Sequence, residues 1–198
     1  AAWERKGFRF KMPIKLLDST LVSLTISVYD WAHYTTSKGA VKMHTLLDYD
    51  CLLPEFMNIT GGKRTDNKAA FDIEIKPHSI VVADRGYCDY GLLNHWDSNN
   101  VFYVVRHKDD IQHRTIKELP LPEKHAQNVL LDEIIEFELP TAKDKCPKRL
   151  RRIAVWDEEH GFVIELLSNN VTLAASTIAK LYKARWNIEI FFHNLKQL

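Results

Sequence analysis

Tyr182, Arg185, Glu189 and Lys196 fall at offsets 0, 3, 7 and 14 within a stretch, Leu181 to Lys196, that holds no proline or glycine. At roughly 100° per residue on an α-helix they lie near 0°, 300°, 340° and 320°, inside one narrow stripe. One carboxylate flanked by two permanent cations and a phenol is an odd helical face. As core, it would desolvate three charges at a cost of several kcal/mol each. As plain solvated surface, it has no need of alignment. A stripe that holds a divalent metal through Glu189 and phosphate oxygens through Arg185 and Lys196 accounts for both the types and the spacing. The plainer alternative is helix support by the i,i+4 pair of Arg185 and Glu189, worth roughly 0.2–0.5 kcal/mol.

Phosphoryl transfer with two metal ions needs carboxylates from separate elements that converge in space. Oxygen ligands suit Mg²⁺, which keeps some waters, so a few carboxylates suffice. Asp84 is the strongest further candidate, because it follows the all-apolar run Ile80-Val81-Val82-Ala83. A helix N-cap or turn aspartate is its alternative reading. Asp18 follows Ile14-Lys15-Leu16-Leu17 and shares a strand face with Leu16 and Ile14. Asp30, Asp48, Asp50 and Asp66 are rivals that loops, hairpin turns and caps explain as well. Spacing does not choose among them. The nine histidines show no metal-ligand spacing; His107 and His113 are expected at a strand end and in a loop.

The elements that would position these residues read as follows. Ile14–Leu17 runs into a longer strand-like stretch that reaches Tyr29. Val41–Leu47 and Leu52–Ile59 flank Asp48-Tyr49-Asp50 as a hairpin. Thr65 or Asp66 caps a helix through Ala69, Ala70 and Ile73, which Pro77 closes. Ile80–Ala83 is a strand buried on both faces. A helix near Tyr90–Trp96 and a strand at Val101–Arg106 follow. These predict an α/β fold, a mixed sheet with helices on both faces. From His107 to Asn170 four prolines punctuate the chain, and Ile134–Leu139, Arg151–Trp156 and Phe162–Leu167 alternate like half-exposed strands. This predicts a β-rich insertion, residues 107–170, between core segments 1–106 and 171–198. Thr172 is expected to open one long helix that runs to the last residue; ending inside it, the chain reads as a piece of a longer protein.

The 198 residues are 45% hydrophobic and 27% charged, ordinary for a globular protein with a sizeable core. No stretch approaches the ~20 apolar residues that cross a bilayer, and no signal peptide opens the sequence. Cys51, Cys88 and Cys146 are few and unpatterned, so a reduced cytoplasmic setting is expected. A net charge of +1 argues against a freestanding DNA-binding module but not against a local groove. Lys143, Lys145, Lys148, Arg149, Arg151 and Arg152 cluster within ten residues. Such a run reads either as a solvated loop or as part of a DNA path.

The pattern Tyr-x2-Arg-x3-Glu-x6-Lys, set here in Leu-Tyr-x2-Arg-Trp-x-Ile-Glu-x-Phe-Phe-x2-Leu-Lys-Gln, resembles the signature of bacterial insertion-sequence transposases of the DDE class. Leu17-Asp18-Ser19-Thr20 resembles the family's first-aspartate segment, and Lys38-Gly39-Ala40-Val41-Lys42-Met43-His44 the strand after it. Val82-Ala83-Asp84-Arg85-Gly86-Tyr87 resembles the second-aspartate segment. The resemblance runs from about Asp18 to the last residue and is weakest through the insertion. It implies a ribonuclease-H-like fold in which Asp18, Asp84 and Glu189 hold two Mg²⁺, with Mn²⁺ as a substitute. It implies strand cleavage at transposon ends and transfer into target DNA, with Tyr182, Arg185 and Lys196 on phosphates. Double-stranded DNA is then the partner, in the nucleoid, with a homodimer as one assembly on it. Lys148, Arg149, Arg151 and Arg152 are expected along the DNA path, and Trp156 either stacks on a base or is an ordinary core aromatic of its hairpin. A stand-alone metal nuclease on the same fold and a catalytically silent DNA-binding remnant are the alternatives. Full members of the family carry an N-terminal recognition region and sequence beyond the signature helix.

Overall fold

A computed structural model describes residues 8, 10–23, 40–61, 65–107, 112–121 and 128–197. Asp30, the part of the expected first strand beyond Ser23, and Lys38-Gly39 lie outside the described residues. Nine strands form one sheet: β1 (Ile14–Ser23), β2 (Ala40–Asp48), β3 (Pro54–Gly61), β4 (Ile80–Ala83), β5 (Phe102–Arg106), β6 (His113–Glu118), β7 (Val129–Phe137), β8 (Leu150–Asp157) and β9 (Phe162–Ser168). Their spatial order is β3-β2-β1-β4-β5-β9-β8-β7-β6. β1, β4 and β5 are mutually parallel, and every other neighbouring pair is antiparallel.

The parallel centre explains why β4 reads as an uninterrupted apolar run. Helices cover both of its faces, and all four of its residues are buried. On one face, α1 (Asp66–Ala70), α2 (Tyr90–Ser98) and α3 (Pro140–Lys145) close over Leu17, Val81, Tyr103, Val105, Ile135 and Leu167. On the other, α4 (Ala175–Ala184) and α5 (Trp186–Leu195) lay Ile178, Leu181, Ile188 and Phe192 on Ile14, Leu16, Ile80, Val82 and Val104. Period-two alternation along each strand sorts the side chains between these layers.

The strands of 107–170 are antiparallel, as their alternation predicts. Through β9 on β5 they also continue the central sheet, with Val104 opposite Ser168 and Arg106 opposite Leu166. β6 and α3 were not foreseen. His113 starts β6 rather than lying in a loop, and its ring meets that of His107 edge-on at 6.0 Å between centroids.

Two helix expectations are corrected. α1 ends at Ala70 and does not reach Ile73, and Thr65 before it makes no side-chain cap bond. The long C-terminal helix is two helices that meet at Arg185. There the amide of Arg185 bonds to Tyr182 and that of Ile188 to Arg185, three residues back instead of four. Asn187 Nδ2 donates to the Ala184 carbonyl at 2.7 Å, next to the junction. The β2–β3 hairpin stands as expected. Asp48 closes its turn by accepting the amides of Asp50 and Cys51, and it takes Lys15 Nζ at 2.7 Å.

Candidate active site

Register brings the first two acids together. Leu17 of β1 stands beside Ala83 of β4, and Ala83 beside Val105 of β5. The next residue in each chain segment is charged: Asp18, Asp84 and Arg106 stand abreast where β4 and β5 end, Asp18 lying midway along the longer β1. Alternation puts all three on the face of Ile14, Leu16, Val82 and Val104, the face that α4 and α5 cover.

The helices supply the rest. Tyr182 donates its hydroxyl to Asp84 Oδ1 at 2.9 Å. Arg185 Nη1 donates to Asp18 Oδ2 at 3.1 Å, and Nη2 pairs with Glu189 Oε1 at 2.6 Å. One guanidinium therefore ties an aspartate of β1 to a glutamate of α5. Its side chain is 14% exposed, and its Nε finds no hydrogen-bond partner among the described residues. The guanidinium carbon also lies 5.6 Å from the centre of the Tyr182 ring. Ile188 and Phe192 are buried, and Phe191 and Leu195 pack against the same core, so α5 keeps Glu189 on its outer flank. Lys196 follows α5, two turns beyond Glu189, and is exposed.

Electrostatics mark the site as rich in negative charge. Burial pushes Asp18 up to about 6, the Ser19 amide and Arg185 pull it down, and Asp84 and Glu189 add repulsion. Burial pushes Tyr182 up to about 12, with the Asp84 carboxylate adding to it. For Arg185, burial acts to lower the value, but Tyr182, Asp18, Glu189 and Asp84 outweigh it and hold it above the ordinary range. Three oxygen-donor carboxylates with such a surplus of charge suit a hard divalent cation. As they stand, however, no three His, Cys, Asp or Glu side chains among the described residues form a ready ligand cluster. The Arg185 guanidinium occupies the space between Asp18 and Glu189.

Asp66, read from the sequence as a cap, instead braces the residue after Asp18. Asp66 Oδ1 accepts the Ser19 hydroxyl at 2.5 Å and pairs with Lys42 Nζ at 2.7 Å. Gly86, two residues after Asp84, lies so close that a Cβ there would sit 3.2 Å from Asp66 Oδ2.

The basic run departs from expectation. Arg151 is buried, holds Asp132 through Nε and Nη2 at 2.7 Å each, and donates Nη1 to the carbonyls of Asn170 and Leu173. Arg152 pairs with Glu133 and Glu165. Their fork geometry is spent on protein carboxylates and, for Arg151, on the loop that leads into α4, so neither is left for DNA. Lys148 pairs with Asp97, and Arg149 Nε lies 3.9 Å from Glu136. Asp97 closes α2 just before β5 begins, which sets Lys148 at the end of the sheet opposite Asp84. Trp156 is 40% exposed, so it is not a core aromatic. It stands opposite Val163 and on the face away from Asp84.

Sequence reasoning passed over Arg106 and Phe162. Arg106 stacks on the Phe162 ring, 5.4 Å from its centre, and Phe162 belongs to the acid-bearing face, two residues before Ile164. The signal for Arg106 was present: it follows an apolar strand just as Asp84 does.

The sequence model described as "Transposase DDE domain" matches residues 9–198. A protein of Geobacillus stearothermophilus, named as a probable transposase for insertion sequence element IS5377, is 28% identical over 193 residues, 98% of this chain and 50% of its own. One of Sinorhizobium fredii, named as transposase y4zB, is 29% identical over 93% of this chain and 51% of its own. The chain thus spans about half the length of the curated relatives it matches. Among solved structures, a piggyBac transposase synaptic complex with hairpin DNA superposes with a TM-score of 0.51 at 9% identity, over 92% of this chain and 40% of that one. That likeness shows the fold, a ribonuclease-H-like mixed sheet with helices on both faces. With nearly its whole length matched, the chain belongs to the family of transposase DDE domains.

Proposed function

We propose that this chain is the catalytic part of a DNA transposase, which cleaves strands at the ends of its element and joins the freed 3′ ends to target DNA. The observation that carries this reading is the gathering of Asp18, Asp84 and Glu189 around Arg185 and Tyr182. Membership of the family implies dependence on a divalent metal, and the donor set suits Mg²⁺, with Mn²⁺ as its substitute. When bound, a pair of such ions activates water or a 3′-hydroxyl and stabilises the leaving oxygen.

The protein's own part is positioning. Asp18 lies within β1, paired to β2 on either side of it, and Asp84 directly follows β4, so the sheet holds both backbones in place. Tyr182 fixes the rotamer of Asp84. Glu189 approaches from a helix whose far side is locked into the core. Arg185 offers a planar fork suited to a phosphate, and Lys196 a mobile point charge further along. Arg106 adds a cation at the rim, braced by Phe162. Double-stranded DNA as partner, a homodimer on that DNA, and work at the nucleoid in the cytoplasm belong to the same proposal. So does the division of 1–106 and 171–198 from 107–170 as catalytic core and insertion.

The test uses the full-length protein on duplexes that carry the element's ends. Asp84→Ala and Glu189→Gln should each abolish strand cleavage while DNA binding and the circular-dichroism spectrum stay as in the wild type. Retained cleavage in either variant overturns the site. Cleavage without any joined product in the wild type would instead make the protein a nuclease.

A further inference from the structure

Arg185 is placed as a stand-in cation. It bridges Asp18 and Glu189 with its two terminal nitrogens, where a metal shared by those carboxylates would have to lie. Two features say that this seat is temporary. Its buried Nε has no hydrogen-bond partner among the described residues, although a permanently buried guanidinium normally has its donors satisfied. It also sits at the joint between α4 and α5, where the ladder shifts to bonds three residues back, and such a stretch inside a helix often marks a hinge. Glu189 lies one turn further on, on α5, so the side chain of Arg185 can swing out without unseating it.

We propose that Arg185 is an exchangeable counter-ion that keeps Asp18 and Glu189 paired and closed to metal until a DNA phosphate draws it away. This rests on the reading of Asp18, Asp84 and Glu189 as metal ligands. In the free protein the guanidinium and the metal compete for two carboxylates. On DNA, the fork exchanges carboxylate oxygens for phosphate oxygens, and the vacated carboxylates turn to the metal. Metal and DNA therefore reinforce each other's binding, and by linkage the reinforcement is the same in both directions. The arrangement keeps the hydrolytic centre unassembled away from its substrate.

Full-length protein, stripped of metal, is titrated with Mn²⁺ by calorimetry, alone and on a duplex that ends at the already cleaved element terminus, so that no hydrolysis intervenes. Phosphates that touch the metal directly also couple the two ligands, so the decisive comparison is Arg185→Gln without DNA. That variant keeps a hydrogen-bonding side chain and loses the cation. It should bind Mn²⁺ at least about fivefold more tightly than the wild type, and the gain on adding DNA should shrink by a similar factor. Arg185→Lys, whose point charge does not bridge both carboxylates, should fall between the two and serves if the Gln variant fails to fold. Mn²⁺ affinity in the folded variants equal to or weaker than wild type overturns the proposal. Asp18→Asn and Glu189→Gln separate the two levels of failure. If both bind Mn²⁺ as the wild type does, the metal site itself is misassigned. If both lose it while Arg185→Gln fails to tighten, only the exchange is wrong.

Discussion

Asp18 works against its own fold. Burial, with the repulsion of Asp84 and Glu189, raises its carboxyl to about 6, against about 3.9 in an unfolded chain. A raised carboxyl favours the folded state when protonated, so its contribution is full below about 4 and is lost as pH climbs past about 6. Asp18→Asn removes the charge. In metal-free protein at pH 8 it is expected to raise stability by about 1–3 kcal/mol, a gain that fades to nothing below pH 4 in denaturant titrations. Equal or lower stability at pH 8 would refute the account. At this scale the sequence was legible where a charge breaks an apolar run, at the end of β4 for Asp84 and midway along β1 for Asp18. Arg106 carries the same signal at the end of β5, but a cation there is no metal ligand, and its brace, Phe162, lies on a strand that is distant in sequence. Alternation along β8 sends Trp156 to the far face, and the aromatic ring on the acid-bearing face is Phe162, under Arg106.

The basic run shows what an element conceals. Arg151 and Arg152 find Asp132, Glu133 and Glu165 across strand pairs, and pairing between β7, β8 and β9 cannot be counted from positions along the chain. Arg151 also holds the Asn170 and Leu173 carbonyls, so it sets the entry of α4 and with it the aim of Tyr182. Arg151→Ala strands Asp132 in the core and is expected to cost about 3–5 kcal/mol. Lys148→Ala, at an exposed pair, should change stability by less than about 1 kcal/mol. Thermal unfolding of the two variants side by side checks this; a mild Arg151→Ala would return that side chain to the pool of DNA contacts. The joint at Arg185 was hidden for a different reason. Leu181 to Lys196 has neither proline nor glycine, and apolar periodicity does not register a shift from bonds four residues back to bonds three back.

For the molecule as a whole, the mixed sheet clothed on both faces was readable from the order of apolar runs and turns. The continuity of that sheet was not. Texture changes at His107 and predicts a β-rich insertion, but alternation within it does not say that β9 hydrogen-bonds to β5, so that the strands of the insertion and of the core form one sheet. Heating or urea should therefore unfold the chain in one transition, with tryptophan fluorescence and far-ultraviolet dichroism coinciding; two resolved steps would mean that β9 and β5 part easily. The same continuity ties the site to distant parts of the polypeptide. Arg185 meets Asp18 across 167 residues, and Tyr182 meets Asp84 across 98. During synthesis the first two acids leave the ribosome long before the segment that carries the third. A nascent or prematurely terminated chain can pair its early strands, but it has no Glu189 to complete the proposed centre. If Asp18, Asp84 and Glu189 form the cleaving centre proposed above, that centre stays incomplete until translation has passed Glu189, a safeguard written into the order of the codons.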